Sequence, residues 1–403
     1  MRTAAWVLPS CMENSGGFRT IFQNVQCLMR HGYQCDIYAG EYGQASGLQE
    51  MERLARKYFG VSGCGFIPGY AWIRHYDIIF ATSWETAGIV RDRPGMSKKA
   101  YFIQDYEALF YPAGTKYLEA CHTYSMGLYP VTIGKWLAAK MIHEYHAKAQ
   151  YFDFCADQRI YKNLRQKRER AVCFIYQPDK PRRCSSLGIR ALGIVKYLRP
   201  DVNIYLYGSA RNTKLPFVHK NLKVLSVEQC NRLYNRCSVG LCISASNPSR
   251  IPFEMMAAGL PVVDLHLENN LYDMPQQGVL LAHHTPEAVA QAVIDLLDHP
   301  QKARLVSEAG QAYMKGKDLG RESAQFYEAV EHIIADTVPA DRTINKSYTQ
   351  APVYGERLKE QIPQDVWKRY TSMEQGRPVM KKLQRLLAKS SLIKSVYRQL
   401  HGY

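Results

Sequence analysis

The 403-residue chain contains no run of about 18 apolar residues, the length a membrane-spanning helix requires. It has no C-x-x-C pair among its 11 cysteines, an odd number at irregular spacings. That argues against a disulfide framework or a zinc ribbon and predicts buried free thiols, as at Cys173, Cys237 and Cys242 in apolar, strand-like segments. The zinc-protease pattern H-E-x-x-H is missing too: His143 and His146, in HEYH, are spaced differently, and His283-His284 has no partner cluster. No metal and no cofactor is expected. No internal repeat of fixed period and no low-complexity segment occurs. The opening MRTAAWVLPS carries one Arg and a short apolar piece ending at Pro9, too brief for a signal peptide, and reads as the first buried strand of a cytoplasmic protein.

Acidic residues are also scarce, 36 Asp and Glu against 52 Lys and Arg, for a formal charge of +16. Such an excess suggests an anionic partner: nucleic acid, an acidic membrane or a phosphorylated substrate. Much of it is local, because the chain from Arg377 onward has seven Lys or Arg and no Asp or Glu. With 46% apolar and 22% charged residues, the composition is that of a soluble globular protein long enough for two domains.

Short apolar strand candidates alternate with amphipathic helix-length stretches up to about residue 335, the rhythm of an α/β chain with parallel sheets. AAWVLP, QCDIYA, DIIFAT, KAYFIQ and LYPVTI form a first set; AVCFIYQ, VNIYLYG, NLKVLS, VGLCIS and PVVDL form a second. Between them lies FDFCADQRIYKNLRQKRERAV, a polar, basic connection read as the interdomain linker with its flanks. The expected division is residues 1–160, 161–335 and a helical appendix, 336–403, interrupted at Gly376-Arg377-Pro378. Two doubly wound domains facing a cleft is the simplest architecture.

Three stretches could carry chemistry. Gly16-Gly17 precede a helix whose N-terminal N–H groups attract negative charge; the bland alternative is a tight turn. The pair does not form the dinucleotide fingerprint G-x-G-x-x-G. Lys180, Arg182 and Arg183 sit between a strand and a helix start, where cations oppose the helix dipole unless an anion such as a diphosphate is bound. A solvated basic loop is the alternative. SNPSRIPFEMMAAGLPVVDL, with Ser249, Arg250 and Glu254, follows a strand, so it lies on the rim where open α/β sheets gather ligands. Helix capping alone would also account for Glu254. Asp105 and Glu107, in FIQDYEALFYP, follow a strand of the first half and could orient an acceptor hydroxyl, or belong to a polar loop packed with aromatics.

These residues carry a resemblance. Glu254, Ala257, Ala258, Gly259, Pro261 and Val262, after a strand and a proline-containing loop, resemble the donor domain of retaining glycosyltransferase family 4, enzymes of the GT-B fold. VEQCNRLYNRCSVGLCIS, GGFRTIFQNVQCLMRHGYQCDIY and FDFCADQRIYKN are similar to further family segments, and the likeness spans roughly residues 5 to 335. YFIQDYEALFYP, YPVTIGKWLAAKM and DLHLENNLYD look like the rhamnosyltransferase branch that builds bacterial surface polysaccharide. The resemblance implies a GT-B fold with an N-terminal acceptor domain and a C-terminal donor domain. It also implies retention of anomeric configuration, a nucleotide diphosphate sugar donor, and a glycan or lipid-linked acceptor at the cytoplasmic leaflet. Glu254 would then hold the nucleotide ribose.

One departure matters. The family pattern has two glutamates separated by seven residues, and Ser246 stands where the first, which contacts the transferred sugar, should be. That fits a donor lacking the usual hydroxyl arrangement, such as a 6-deoxy-L-hexose. It equally permits an inert nucleotide-sugar-binding homologue. In the transferase reading Arg182 and Arg183 stabilise charge growing on the leaving diphosphate. A nucleic-acid-binding protein is the rival suggested by charge, although no recognised nucleic-acid motif accompanies it. In the tail, Val379, Leu383, Leu386, Ile393, Val396 and Tyr397 would share one helical face and Lys381, Arg385 and Lys389 the other. That pattern suits an anionic membrane surface, or else a helix packed on the first domain.

Overall fold

The computed structural model describes residues 1–9, 16–40, 48–211, 214–339 and 342–371. Seven strands form the first sheet: β1 (Thr3–Leu8), β2 (Gln34–Ala39), β3 (Gly65–Pro68), β4 (Ile78–Ala81), β5 (Lys98–Ile103), β6 (Tyr129–Ile133) and β7 (Gln150–Phe152). Six form the second: β8 (Glu169–Ile175), β9 (Asn203–Tyr207), β10 (Lys220–Asn221), β11 (Cys237–Leu241), β12 (Val262–Leu265) and β13 (Val279–Ala282). The helices are α1 (Gly16–Arg30), α2 (Leu48–Phe59), α3 (Trp84–Arg91), α4 (Thr115–Thr123), α5 (Lys135–Tyr145), α6 (Ser185–Leu198) and α7 (Val227–Arg236). They continue as α8 (Arg250–Ala257), α9 (Glu268–Leu271), α10 (Pro286–Asp298), α11 (Pro300–Met314), α12 (Leu319–Ile334) and α13 (Gln364–Thr371).

Every strand pairing is parallel, in the orders β3-β2-β1-β4-β5-β6-β7 and β10-β9-β8-β11-β12-β13. Each sheet winds outward on one side, returns past its first strand and winds outward on the other. The reversal opens a crevice at the carboxyl ends of β1 and β4 in one domain and of β8 and β11 in the other. Parallel sheets are covered on both faces, which is why β1, β4 and β12 are almost wholly apolar and buried. The expected pair of doubly wound units is thus present.

The strand candidates fall on observed strands with one exception. NLKVLS keeps only its first residue, Asn221, in the two-residue strand β10, because Lys223 turns into the left-handed region at φ 61° and ends the edge pairing. β3, β7 and β13, which the sequence reading did not include, are short outer strands, of 4, 3 and 4 residues. The basic connection begins in β7 and ends in β8, with no regular element between Asp153 and Arg168.

The chain crosses between the sheets three times, first through this basic connection. After the second sheet, α12 returns to cover the first, seating Phe326 against Trp6, Phe80, Phe102 and Phe152 at ring-centroid distances of 5.8 to 6.1 Å. Asp153 anchors this return through Arg321 at 2.8 Å and Lys317 at 3.4 Å. The chain then passes back: Val353 N–H donates to Leu281 O (2.9 Å), and Tyr370 of α13 packs over Gly193 of α6, where a side chain would collide with its ring. The basic amphipathic segment proposed for residues 379–397 lies outside the described residues.

A second tie joins the domains. Asp273, between α9 and β13, accepts the Lys135 and Trp136 N–H groups at 2.8 and 3.1 Å, so a carboxylate of one domain caps α5 of the other. Gly134 precedes that helix at φ 83°, and a Cβ there would stand 2.9 Å from Asp273 Oδ2. Among the described residues no helix is long and apolar enough to cross a membrane.

Candidate active site

The carboxyl ends of the two sheets face each other, and the site is built from the loops that leave them. After β8 a short 3-10 turn, Pro181–Arg183, leads into α6 through Cys184, held in the left-handed region at φ 45°. That sharp change of direction leaves two arginines projecting beside the α6 N-terminus. Arg182 reaches across the cleft: its Nε lies 3.5 Å from Asp105 Oδ2 and its guanidinium 4.4 Å from the centre of the Phe110 ring. Burial lowers the Arg182 pKa and Arg183 adds to this, while Asp105 opposes both. Arg183 Nε and Nη1 are buried with no hydrogen-bond partner.

The second rim comes from the loop after β11. Ser244, Ser246 and Asn247 are all buried, and the Ser244 Oγ, Ser246 Oγ and Asn247 Oδ1 atoms have no hydrogen-bond partner. Asn247 Nδ2 donates across the cleft to Gln104 O at 2.9 Å. Asp105, next along the chain from Gln104, keeps a buried Oδ1 without a partner. Burial raises its pKa, with Arg182, the nearby Ser246 hydroxyl and Arg183 pulling it back. Apart from Trp6 Nε1 and Glu287 Oε2, the buried polar side-chain atoms found unpartnered among the described residues belong to this cleft and the strand ends beneath it. In a folded core such atoms are normally satisfied, so their concentration marks a place where a polar ligand or water completes the set.

α8 carries the opening residues of the Glu-containing motif. Ser249 is its N-cap residue in extended conformation, with its Oγ 3.6 Å from Cys242 Sγ. Arg250 is committed: it binds Glu322 of α12 through two bonds of 2.6 and 2.7 Å, and also Cys155 O (3.1 Å) and Thr20 Oγ1 of α1 (3.3 Å). Glu254 sits in the second turn, and the first turn holds no acidic residue. The helix-capping explanation for Glu254 therefore falls away, since dipole and cap effects fade beyond the first turn. Burial pushes its pKa up to about 7, opposed by Arg250, Tyr161 and Arg19.

The remaining expected residues have distinct surroundings. Gly16 opens α1, and a Cβ there would meet nothing within 4 Å, so packing does not explain the glycine; Gly17 follows, half-buried. Glu107 turns away toward α3: its Oε2 accepts the Trp84 N–H at 2.6 Å and the Tyr101 hydroxyl at 3.5 Å. Burial pushes Glu107 up to about 8, against the Trp84 N–H bond.

Asp264 in β12 escaped the sequence reading. It is fully buried, its Oδ1 accepts the Leu265 N–H at 2.7 Å, and its Oδ2 has no partner. Burial pushes it up to about 8, with the Leu265 N–H, Asn270 and Arg183 pulling the other way. Its signal was present in PVVDL, a charge inside a strand buried on both faces. Arg182, Arg183, Asp105 and Ser246 therefore converge on one spot, Glu254 lies on the adjacent helix, and Arg250 and Glu107 brace the surroundings. Among the described residues no group of three His, Cys, Asp or Glu is placed to hold a metal ion.

Two facing doubly wound sheets with a shared cleft and a crossing C-terminal helix are the GT-B fold. Solved GT-B structures superpose over most of the chain. Anabaena HepE, in complex with UDP and glucose, matches with a TM-score of 0.61 at 14% identity, over 81% of this chain and 99% of that one. S. aureus TarM, in complex with fondaparinux, α-GlcNAc-glycerol and UDP, matches at 0.64 and 8% identity, over 83% and 100%. WaaG, a glycosyltransferase involved in lipopolysaccharide biosynthesis, matches at 0.57 and 12% identity, over 82% and 99%. Residues 170–294 match the family described as WsaF, C-terminal domain. In sequence the chain is 29% identical over 325 residues to the O-antigen biosynthesis protein RfbC of Myxococcus xanthus, covering 77% of this chain and about a quarter, 26%, of that relative.

Proposed function

We propose that the chain is a glycosyltransferase that moves a sugar from a nucleotide diphosphate donor to a growing surface polysaccharide. The observation that carries this reading is Arg183, whose buried Nε and Nη1 lack partners beside the α6 N-terminus and Arg182. Two guanidinium forks and free helix N–H groups suit the leaving diphosphate, whose charge grows as the anomeric C–O bond breaks. Similarity to an O-antigen biosynthesis protein supports the polysaccharide context, and the UDP named with the HepE and TarM structures supports a nucleotide donor.

In this reading the first sheet binds acceptor and the second, from about residue 161 to 335, binds donor, with Glu254 on the ribose and Gly16-Gly17 near the diphosphate. Transfer retains anomeric configuration without a metal, and Ser246 in place of a glutamate selects a deoxyhexose such as rhamnose. The acceptor is lipid-linked, reached by a protein held peripherally on the cytoplasmic leaflet through its basic tail beyond Arg377; flotation on anionic vesicles tests that location. Incubation with labelled UDP-, GDP- and dTDP-sugars and a membrane extract tests the activity. Failure of every donor to release nucleoside diphosphate, with nucleotide binding intact, would favour an inert sugar-nucleotide-binding homologue.

A further inference from the structure

Two adjacent contacts tie the domains together at the anion cradle itself. Gln104 O accepts from Asn247 Nδ2 at 2.9 Å, and the neighbouring Asp105 meets Arg182. These contacts differ in quality. The Asp105–Arg182 approach is single and long, 3.5 Å, with Asp105 Oδ1 and the Arg183 nitrogens buried and unpaired around it. The structural pair elsewhere in the same chain, Arg250–Glu322, is bidentate at 2.6 and 2.7 Å. A carboxylate that approaches one nitrogen without hydrogen-bonding to it, among several unsatisfied ones, fills an anion site without matching it.

We propose that Asp105 is a built-in counter-anion: with no donor bound it stands at Arg182 where a phosphate oxygen will stand, and the donor diphosphate displaces it. The proposal rests on reading Arg182 and Arg183 as the diphosphate cradle. Displacement releases one of two neighbouring cross-cleft ties and leaves the Gln104–Asn247 bond as the pivot, so donor entry is coupled to movement of the first domain's β5 loop. It also frees the Asp105 carboxylate beside the reacting centre only once donor is present. The cost is a weaker grip on donor than the bare cations would give, because each binding event first breaks an ion pair.

Calorimetric titration of the full chain with UDP and, separately, with inorganic pyrophosphate tests this in the wild type, Asp105→Asn, Asp105→Ala and Arg183→Ala. Loss of the competing carboxylate should tighten both ligands roughly three- to tenfold, the scale of one partly exposed ion pair. Arg183→Ala should weaken both. If Arg183→Ala binds as the wild type does, or neither ligand binds the wild type, the cradle reading itself fails. If Arg183→Ala weakens binding while the folded Asp105 variants bind no tighter than the wild type, the cradle stands and the counter-anion proposal is overturned. The alanine variant covers the case in which Asp105→Asn does not fold, melting temperature being the check.

Discussion

Arg250 of α8 and Glu322 of α12 form a buried bidentate pair that fastens the second domain to the helix covering the first, with Glu322 only 3% exposed. The arginine of the Ser249-Arg250 pair, expected from the sequence to meet substrate, thus has its guanidinium committed to a contact between domains.

Arg250→Ala leaves Glu322 charged and uncompensated, which costs about 3–5 kcal/mol in comparable buried pairs. Thermal melting should show a large loss, and Glu322→Gln in the Arg250→Ala background should recover part of it. Wild-type stability in Arg250→Ala would mean that the pair is not what holds α12.

Glu254→Gln is expected to weaken UDP binding while leaving the melting temperature near or above the wild-type value, because a neutral amide removes a buried charge at a site with no cap to lose. Unchanged affinity in calorimetry would place the ribose elsewhere.

Five buried carboxyls lie above their ordinary values, Glu107 and Asp264 at about 8, Glu254 at about 7, Asp273 at about 6, and Asp105 raised as well, each mainly through burial. A carboxyl with a raised folded-state pKa binds more protons folded than unfolded, so its contribution is fully present below the unfolded value and lost as pH rises through the folded one. The melting temperature should therefore decline from pH 6 to pH 9. The double variant Glu107→Gln, Asp264→Asn should flatten that decline; an unchanged slope would assign it to other groups.

Gly134→Ala combines a left-handed backbone at φ 83° with a collision against Asp273 and Phe154. A loss of about 1–3 kcal/mol is expected, and the Asp273 cap on α5 should open with it. Hydrogen exchange at Lys135 and Trp136 reads this directly, and protection equal to that of the wild type would contradict it.

Most central strands were legible because each is a short, continuous apolar run, which in a sheet buried on both faces is the whole signal. β3 contains Gly and Pro and β7 is three residues long, so neither had enough pattern to stand out. The placement of Arg182 and Arg183 beside the α6 start was legible, because two cations before a helix start conflict with its dipole and so stand out. Glu254 was noticed but set one turn too near the helix start, since the Ser-Arg preceding Ile251-Pro252 gives no sharp boundary. The Arg250–Glu322 and Asp273–α5 contacts had no local trace, because each joins residues far apart in sequence and in different domains.

The seating of Phe326 among Trp6, Phe80, Phe102 and Phe152 also orders events during synthesis. All seven strands of the first sheet leave the ribosome before the second sheet begins, yet the aromatic slot they form stays open until α12 emerges. At about 5–20 residues per second that interval lasts on the order of ten seconds or more. Throughout it the nascent first domain presents a patch of four aromatic rings to solvent, and this patch is where a chaperone would bind and where a chain truncated before α12 would aggregate.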